Sequence, residues 1–525
     1  LALGGGKIPH TIKPATPSEY SLPLHCKSVG RIRWEVADAK SIPELRPTWT
    51  QAKEALLAPA RLQSLLRGHA PELSVVDIAP NDLEHLVAFG YVEKLPRGDT
   101  PLGAVRVFTV LEKPNANGYT RRRFIAVPDA LNELNLDPGE VELPGVPTLT
   151  QALKFDHAKT GDFVAFFTQF EPPSEARNYY TFAAFNAGRI ELYRCTTICT
   201  GQRQCPCLAQ CLATSVVTRA LAAANATDTC QGDAYIDNIR ISGPVADVEF
   251  AWVCLLREID ELNFEFLTSG VNYEFLGIRF HHAEKTTAAT TKALLKLQAR
   301  SKEALDVPET CSLRQLLRLV GELLWISRVA SVRLARFYGC IKNVRRKCGV
   351  LTDAQLDEPL GVVWESTAEL WREWVNVALR NEPRHFVLPR DVPLQTCIFS
   401  DASLEGWAAT IIRDHPLGLS IFFGPWGQET LPHINVLEAS ALANGCAHLP
   451  PARPGEILLA FIDNTTVVTA CRHESSANYH LHSNVNAALT ETHRHGCLYW
   501  RACWVGTLRN IAEHFTRMSR YIFVS

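Results

Sequence analysis

The chain has 525 residues, of which 46% are hydrophobic and 21% charged, and its formal net charge is −2 at pH 7. This composition excludes a fibrous or largely disordered chain, and the length favours several domains over one core. No run of about 18 apolar residues occurs, so no membrane-spanning helix is expected. The start, Leu1–Lys7, has neither an initiator methionine nor a signal-peptide pattern, which suggests a segment of a longer reading frame.

The 16 cysteines lie in a chain without secretory features, so we expect reduced thiols in the cytoplasm or nucleus. One cluster raises the alternative of structural zinc: Cys195, Cys199, Cys205, Cys207 and Cys211. The tight Cys-Pro-Cys spacing at 205–207 and the lack of a second CxxC-type pair argue against that metal.

Mixed strands and helices are predicted for the first half of the chain. Residues 1–70 contain proline-bearing loops and a helix near 50–66, with no indicated role. Alternating residues predict a hairpin of 104–112 and 122–127 around a turn at 114–118. Further strands are predicted at 163–170, 180–186, 190–196, 234–241 and 275–281, and helices at 205–224 and 245–261.

The second half begins with a stretch, 300–380, that is predicted to be almost wholly helical. The segment Lys296–Lys347 contains twelve basic and four acidic residues, which gives it a net charge of +8. The basic side chains of such helices either bind phosphates or form an ordinary solvent-exposed face, and this stretch alone does not distinguish the two. A new α/β unit follows, with strands at 396–400, 407–413, 420–423 and 457–462 and a helix at 435–447.

Two sets of acids carry the chemical signal. Asp162 and the tetrad Tyr235-Ile236-Asp237-Asn238 are predicted to lie on strands, where paired carboxylates can hold two Mg²⁺ ions about 3.5–4 Å apart for phosphoryl transfer. Asp401 and Asp463 each end a predicted strand, and Glu438 and Glu513 lie on helices. Singly, each acid is an ordinary surface residue. Together, the second four fit a two-metal site for phosphodiester hydrolysis.

The first set resembles the polymerase palm of retroelement reverse transcriptases over about 75–345. Asp162 with an aromatic residue five positions later, Phe167, is similar to the first catalytic motif. Tyr193–Gln210 is similar to the second, with Gly201, Pro206 and Gln210 in register. YIDN takes the place of Tyr-x-Asp-Asp, and Phe275-Leu276-Gly277 resembles the downstream grip motif.

The resemblance implies roles for individual residues. Asp162 and Asp237 would ligate two Mg²⁺ ions, with Mn²⁺ as an alternative, and Asn238 would complete the catalytic set. Phe167 would exclude a 2′-hydroxyl, and Arg123 would bind the triphosphate. Gly201 would let the backbone approach template and primer closely. The remaining substrate-binding residues expected from the family are Lys113, Gln202 and Tyr235.

Three departures from this pattern put polymerase activity in question. Asn238 replaces the second aspartate and removes a charge. Thr200-Gly201 stands where the family has Phe-Gly, and no lysine precedes Phe275 where a proton donor is usual.

The second set resembles the ribonuclease H domain of retroelements over about 394–520, especially the DIRS-like (VIPER-type), tyrosine-recombinase class. Ser400–Trp407, Asn435–Glu438, Asp463–Thr465 and the segment from Trp504 to Arg520 carry the likeness. Asp401, Glu438, Asp463 and Glu513 would ligate two Mg²⁺ ions. Glu513 stands where the family usually has aspartate.

The expected architecture is a multidomain α/β chain: a right-hand polymerase fold with fingers, palm and thumb, a helical connection and an RNase H-like α/β domain. The predicted boundaries are an N-terminal extension at 1–70, fingers and palm at 71–290, thumb and connection at 291–390 and the RNase H-like domain at 391–525.

The expected function is RNA- and DNA-directed DNA polymerisation with ribonuclease H, in replication of a retrotransposon. The expected partners are RNA template, DNA primer, RNA–DNA hybrid and dNTPs, with no membrane. A capsid-like protein and a tyrosine recombinase of the same element are further implied. The alternatives are a decayed or domesticated nucleic-acid-binding protein and a nuclease with an inactive palm.

Overall fold

The chain divides into two compact units, unit 1 over Leu1–Leu276 and unit 2 over Gly277–Ser525. Both mix helices and strands, which confirms the prediction of a multidomain α/β chain. The hand-like arrangement and the finer domain boundaries stay predictions. The computed structural model describes residues 15–25, 31–66, 72–73, 75–76, 78–112, 120–134, 141, 143–260, 262–306, 311–341, 344, 353–359, 368–386, 395–414, 417–427, 431–453, 456–496 and 499–516.

Unit 1 consists of two sheets, a hairpin and the helices that cover them. Its helices are α1 Trp34–Lys40, α2 Arg46–Leu57, α3 Pro59–Leu66, α4 Pro80–Ala88, α5 Asp129–Leu134, α6 Val146–Thr150, α7 Phe166–Gln169, α8 Cys205–Ala223 and α9 Val245–Glu258. Its strands are β1 Val75–Val76, β2 Val92–Lys94, β3 Arg106–Leu111, β4 Arg122–Val127, β5 His157–Phe163, β6 Thr181–Asn186, β7 Arg189–Cys195, β8 Gln231–Tyr235, β9 Asn238–Gly243, β10 Phe264–Gly270 and β11 Asn272–Phe275.

The sheet that carries the first acids has the strand order β10-β5-β9-β8, and each neighbouring pair is antiparallel. Helices α8 and α9 pack on it through a core that includes Leu212, Val216, Trp252 and Leu255. Helix α8 is buried over most of its length, which explains why nearly all of its side chains are apolar or small. Length and composition alone would let this helix span a membrane, but 72% of its apolar window is buried inside the protein.

The N-terminal segment is part of this same core. Trp34 and Trp49 are buried, and their rings lie 5.8 Å apart next to Phe170. Helices α1 and α2 thus contribute large aromatic surface to the sheet-bearing core, which the sequence did not indicate.

The predicted hairpin of 104–112 and 122–127 is present as β3 and β4, paired antiparallel. Its turn at 114–118 lies outside the described residues. The hairpin shares a second core with the sheet β1-β6-β7-β2. Arg122 is fully buried there, and its Nη2 donates to Asp82 Oδ1 at 2.8 Å and to the Tyr20 carbonyl at 3.0 Å.

Three strand predictions in unit 1 and at its boundary were wrong. The strand expected over 163–170 ends at Phe163, because Ala165 adopts a left-handed φ of 50° and helix α7 follows. The strand expected over 234–241 is two strands, β8 and β9, joined by a tight turn. The strand expected over 275–281 is likewise interrupted, since Leu276 and Gly277 have φ of 50° and 79°. The apolar runs do overlap the observed strands, but an apolar pattern does not show where a residue adopts a positive φ and interrupts the strand.

Unit 2 contains the helical stretch and a five-stranded sheet. Its helices are α10 Thr291–Leu305, α11 Leu313–Val329, α12 Ala368–Arg380, α13 Ile434–Cys446, α14 Thr465–Arg472 and α15 Tyr479–Arg494. Its strands are β12 Ile278–His281, β13 Thr286–Ala289, β14 Arg384–His385, β15 Gln395–Ala402, β16 Gly406–Asp414, β17 Leu417–Pro425, β18 Ile457–Ile462 and β19 Tyr499–Trp504.

The five strands lie in the order β17-β16-β15-β18-β19. β15 is antiparallel to β16 but parallel to β18, and β18 is parallel to β19. Helices α13 and α15 bury Leu442 and Val485 in the core of this sheet. Because β15 and β18 run in the same direction, their carboxyl ends lie at one edge of the sheet, where residues that end both strands can meet.

The helical stretch begins with well-defined signals. Ser312 and Gln315 form a capping box at the start of α11, in which each side chain bonds the other residue's backbone. Trp371 and Trp374 of α12 are buried, and the Trp374 ring stacks on Phe337. The end of α10, helices α11 and α12 and aromatic packing thus account for the apolar periodicity of the described part of 300–380.

Candidate active sites

Asp162 and Asp237 lie at the same end of two adjacent strands in unit 1. Asp162 is directly opposite Asn238 in the β5–β9 pair, and the Phe163 N–H donates to the Asp237 carbonyl at 2.8 Å. Side chains opposite each other in a ladder stand on the same face. The structure therefore places Asp162 and Asn238 on one face, with the backbone of Asp237 bonded beside Asp162, while their catalytic roles stay predictions.

The turn that presents Asp237 is strained and held by a buried glutamine. Ile236 has a φ of 57°, a left-handed conformation that is costly for a β-branched residue. The Ile236 N–H donates to Gln210 Oε1 at 2.7 Å, and Gln210 Nε2 donates to the Ala234 carbonyl at 2.9 Å. Gln210 of α8 thus stabilises the backbone on both sides of Tyr235.

The charge around Asp237 is only partly compensated. Burial raises its pKa, whereas the Asn238 Nδ2, which donates to Asp237 Oδ1 at 2.9 Å, and the positive charge of Arg123 lower it. Arg123 is exposed, and its Nε donates to Glu112 Oε1 at 2.6 Å. An arginine within electrostatic reach of Asp237 is compatible with the predicted contact to a triphosphate. Lys113 lies outside the described residues.

The residues after Asp162 form a compact support. Gln169 is fully buried, and its Nε2 donates to the carbonyls of Val164 and Asn263 at 2.8 and 3.0 Å. Phe167 is partly buried against the core of the sheet, and Tyr235 is half-buried at the end of β8. The bracing by Gln169 could not be predicted, because it depends on Asn263, a residue almost a hundred positions away in the chain.

Gly201 and Gln202 are held by protein contacts. A Cβ on Gly201 would lie 2.5 Å from Val127 Cγ2, and the Gly201 N–H donates to the Ala126 carbonyl at 2.8 Å. Close packing against β4 therefore explains the glycine without a nucleic acid. Gln202 is 2% exposed and donates to the Tyr180 hydroxyl at 2.9 Å, so in this conformation its amide faces the core. Contact of either residue with substrate stays a prediction.

Unit 2 assembles three of its four predicted acids tightly. Asp401 is at the end of β15, Glu438 is one turn into α13, and Asp463 directly follows β18. One oxygen from each lies within 4.8 Å of the others. Asp401 and Glu438 are buried and Asp463 is half-buried. This follows from the parallel pairing of β15 and β18, which places both aspartates at one edge beneath the start of α13.

Crowding of like charges in a buried site is visible in the pKa values. Burial, with the charges of Asp401 and Asp463, raises the pKa of Glu438 to about 9. Burial also raises the pKa of Asp463, and the charge of Glu513 adds to this effect. Glu513 is thus within electrostatic reach of the cluster, although it is not among the three oxygens that lie within 4.8 Å of one another.

The cluster suits a hard divalent cation. Glu438 Oε2 is buried and has no hydrogen-bond partner among the described residues. Carboxylate oxygens are the ligands that Mg²⁺ and Mn²⁺ prefer, and a cation would offset both the crowding and the unsatisfied oxygen. Among the described residues this is the one group of three or more potential ligands whose atoms lie within 4.8 Å of one another. Neither the aspartates of unit 1 nor the cysteine cluster forms such a group there.

Several residues in the segments that carry the ribonuclease H likeness support the cluster, although no such role was predicted for them. Thr516 Oγ1 donates to Asp401 Oδ2 at 2.7 Å, and Asn510 Nδ2 donates to the Ser400 carbonyl at 2.9 Å. Asn464 Nδ2 donates to Asn435 Oδ1 at 2.9 Å, which ties the end of β18 to the start of α13. Thr516 lies one helical turn after Glu513, and that spacing was the signal available for it.

Comparisons with known proteins identify no family. No protein-family model matches the chain, and no curated protein matches it. Solved structures of a foamy viral protease–reverse transcriptase match the chain at low identity and with low TM-scores. The complex of its dRH form with double-stranded DNA has 13% identity and a TM-score of 0.45, covering 90% of this chain and 83% of that one.

Two further structures of the foamy viral protein give the same picture. The complex with RNA/DNA hybrid has 13% identity and a TM-score of 0.46, covering 93% of this chain and 65% of that one. The complex with double-stranded DNA has 12% identity and a TM-score of 0.44, covering 90% of this chain and 99% of that one. Likeness at this level does not decide function, so the function proposed below is argued from the side chains.

Proposed function

We propose that the chain is an RNA- and DNA-directed DNA polymerase with ribonuclease H activity. The observation that carries the proposal is the cluster of Asp401, Glu438 and Asp463, whose oxygens lie within 4.8 Å of one another at one sheet edge. A largely buried cluster of three acids is costly without a cation, so its presence in the fold is best explained by metal-dependent chemistry.

In the nuclease half, the carboxylates would hold two Mg²⁺ ions, or Mn²⁺. Bound there, the ions would activate water and stabilise the charge that develops on the scissile phosphate. Thr516 and Asn510 keep Asp401 and its strand in place. Glu513 is the fourth acid of the proposed site. It follows the loop after β19, and its charge raises the pKa of Asp463.

In the polymerase half, Asp162 and Asp237 are the proposed ligands for the same kind of ions. Support comes from the position of Asp162 on β5 opposite the start of β9, and from the glutamine-held turn that presents Asp237 directly before β9. Arg123 would bind the triphosphate through its planar fork, and Phe167 would border the sugar of the dNTP. Asn238 supplies an oxygen but no charge, so the proposed polymerase site has fewer negative charges for binding cations than the proposed nuclease site.

The substrates would be an RNA template, a DNA primer, the RNA–DNA hybrid between them and dNTPs. Recognition of a hybrid by shape and backbone requires basic surface, and the segment Lys296–Lys347 carries a net charge of +8. The proposed context is an intracellular retrotransposon of DIRS-like type, with a capsid-like protein and a tyrosine recombinase as further partners. The proposed boundaries remain fingers and palm at 71–290, thumb and connection at 291–390 and nuclease at 391–525.

A nuclease with an inactive palm is the second candidate. Asn238 favours it, because in the described part of unit 1 Asp162 and Asp237 belong to no group of three metal-ligating side chains within 4.8 Å of one another. A decayed nucleic-acid-binding protein would explain the same substitution, but not the retention of three crowded acids in unit 2.

Two assays on the full chain test the proposal: primer extension on poly(rA)/oligo(dT) and cleavage of an RNA–DNA hybrid, each with Mg²⁺ or Mn²⁺. We expect Asp237→Asn to abolish extension and spare cleavage, and Asp463→Asn to do the reverse. Cleavage without extension in the wild-type chain would establish the nuclease-only alternative. Absence of both activities in a folded wild-type chain would refute the proposal.

A further inference from the structure

The loop between β19 and Glu513 is fixed to both strands that carry the unit 2 aspartates. Trp504 Nε1 donates to the Asp463 carbonyl at 3.0 Å, and the Val505 N–H donates to the Ile462 carbonyl at 3.0 Å. At the other end of the loop, the buried Asn510 binds the Ser400 carbonyl. The backbone of this loop therefore keeps a set position beside the carboxylate cluster.

The fixed loop turns large side chains outward. The Trp504 side chain is 57% exposed and Leu508 is 96% exposed. A single exposed apolar residue such as Leu508 needs no explanation. The exposure of Trp504 does need one, because a tryptophan normally buries most of its large surface. Here an indole is anchored by its N–H next to the cluster with its ring left open to solvent, which favours a role for the ring in contact with a ligand.

Arg509 adds a cation to the same loop. The bonds from Trp504 and Val505 to the end of β18 place this loop beside the acids, and Thr507, two residues before Arg509, lowers the pKa of Asp463. Arg509 is exposed, and none of the described residues forms an ion pair with it. A cation so close in sequence to an acidic cluster would be expected to pair with it. Its guanidinium instead remains available for an anion in solvent.

We infer that Trp504 and Arg509 form a grip for the scissile strand of nucleic acid at the unit 2 site. The indole would contact a base or sugar of the strand, and Arg509 would bind a phosphate beside the one to be cleaved. An exposed aromatic ring and an exposed arginine on the same surface are the combination by which proteins hold a strand without reading its sequence. The inference rests on the proposed nuclease function and specifies how its substrate is positioned.

The test uses hybrid cleavage by the full chain, with KM and kcat measured separately. Trp504→Ala and Arg509→Gln are each expected to raise KM about tenfold, with a smaller change in kcat, since they act on binding. Trp504→Phe keeps a ring but loses the N–H bond, and Arg509→Lys keeps the charge, so both should retain most of the affinity. Arg501→Gln, an exposed arginine three residues before Trp504 on the same strand, is the control.

Salt dependence separates a phosphate contact from a structural effect. Removing one phosphate contact should lower the slope of log affinity against log salt by about 0.9 for Arg509→Gln, and leave the slope unchanged for Arg501→Gln. Melting temperatures of the Arg509 variants should match that of the wild type, because the side chain is exposed.

The outcomes are distinct. If the wild-type chain cleaves hybrid but Arg509→Gln and Trp504→Ala match the control in KM and salt slope, the grip is refuted and the proposed nuclease stands. Loss of kcat alone, or equal loss in Trp504→Phe and Trp504→Ala, would assign the loop a structural role and overturn the grip. A wild-type chain that neither binds nor cleaves hybrid would refute both.

Discussion

Unit 1 places Asp162 on one strand and Asp237 in the turn that precedes the neighbouring strand, whereas unit 2 gathers acids from two parallel strands and a helix. In unit 1, the position of Asp237 depends on a strained turn at Ile236 that Gln210 holds. In unit 2, Asp401, Glu438 and Asp463 are crowded enough for burial and charge to raise the pKa of Glu438 to about 9. The first site should therefore be sensitive to backbone geometry, and the second to charge.

The largest expected effect is a trade-off between activity and stability at Glu438. Glu438→Gln removes a proposed ligand, so hybrid cleavage should fall by roughly two to three orders of magnitude. It also removes a buried acid from a crowded cluster, so the metal-free protein should gain about 1–2 kcal/mol in free energy of unfolding. Thermal unfolding with and without Mg²⁺ measures this, and Mg²⁺ should stabilise the wild type more than the variant.

A matched control is Glu369→Gln, since Glu369 is an exposed acid on α12 of the same unit. It should change neither cleavage nor the response of the melting temperature to Mg²⁺. If Glu438→Gln destabilised the metal-free protein, the crowding of charge in unit 2 would not be the property that distinguishes the two sites.

The next effect concerns the turn of unit 1. Gln210→Ala leaves the Ile236 N–H and the Ala234 carbonyl without their partner, at a cost of about 1–3 kcal/mol. Because the strained turn presents Asp237, extension should fall about tenfold while hybrid cleavage is unchanged. Thr214→Ala is the control, since Thr214 bonds Gln210 Nε2 at 3.1 Å but does not touch the turn. If Gln210→Ala extended the primer as fast as the wild type, the turn would hold its geometry without the glutamine.

A smaller effect is expected from the hydroxyl that bonds Asp401. Thr516→Val keeps the shape of the side chain and removes the donor to Asp401 Oδ2, which is worth about 1 kcal/mol, or roughly fivefold in cleavage. Thr492→Val removes a buried hydroxyl of α15 that donates to the Ala488 carbonyl away from the cluster, and it should not affect cleavage. Equal effects of the two variants would mean that stability, not orientation of Asp401, accounts for the loss.

Acids at the ends of apolar strands could be predicted from the sequence. Asp401, Glu438 and Asp463 follow or face such strands, and the structure brings them within 4.8 Å. The three strands that were wrong contain residues with positive φ, such as Ala165 and Ile236, which no hydrophobic pattern reveals. The bracing residues were missed for another reason: Gln169 and Asn510 act through backbone carbonyls of distant segments, and only the tertiary fold brings these together.

The smallest effect, and the sharpest test of the contrast between the sites, is Asn238→Asp. The new carboxylate would face Asp162 across a non-hydrogen-bonded pair, where Cβ atoms lie about 4.5–5.5 Å apart. It would supply the charge that unit 1 lacks relative to unit 2, so half-maximal extension should need a few-fold lower Mg²⁺ concentration. Against this gain, the bond from Asn238 Nδ2 to Asp237 Oδ1 is lost and a like charge is added. The metal-free protein should therefore be slightly less stable than the wild type, and Mg²⁺ should restore its melting temperature.

Asn238→Ser, which is short and uncharged, should show neither the lower Mg²⁺ requirement nor the loss of stability that Mg²⁺ reverses. If Asn238→Asp instead raised the Mg²⁺ requirement, the amide would be the better partner for Asp237, and the two units would use different ways of holding a cation.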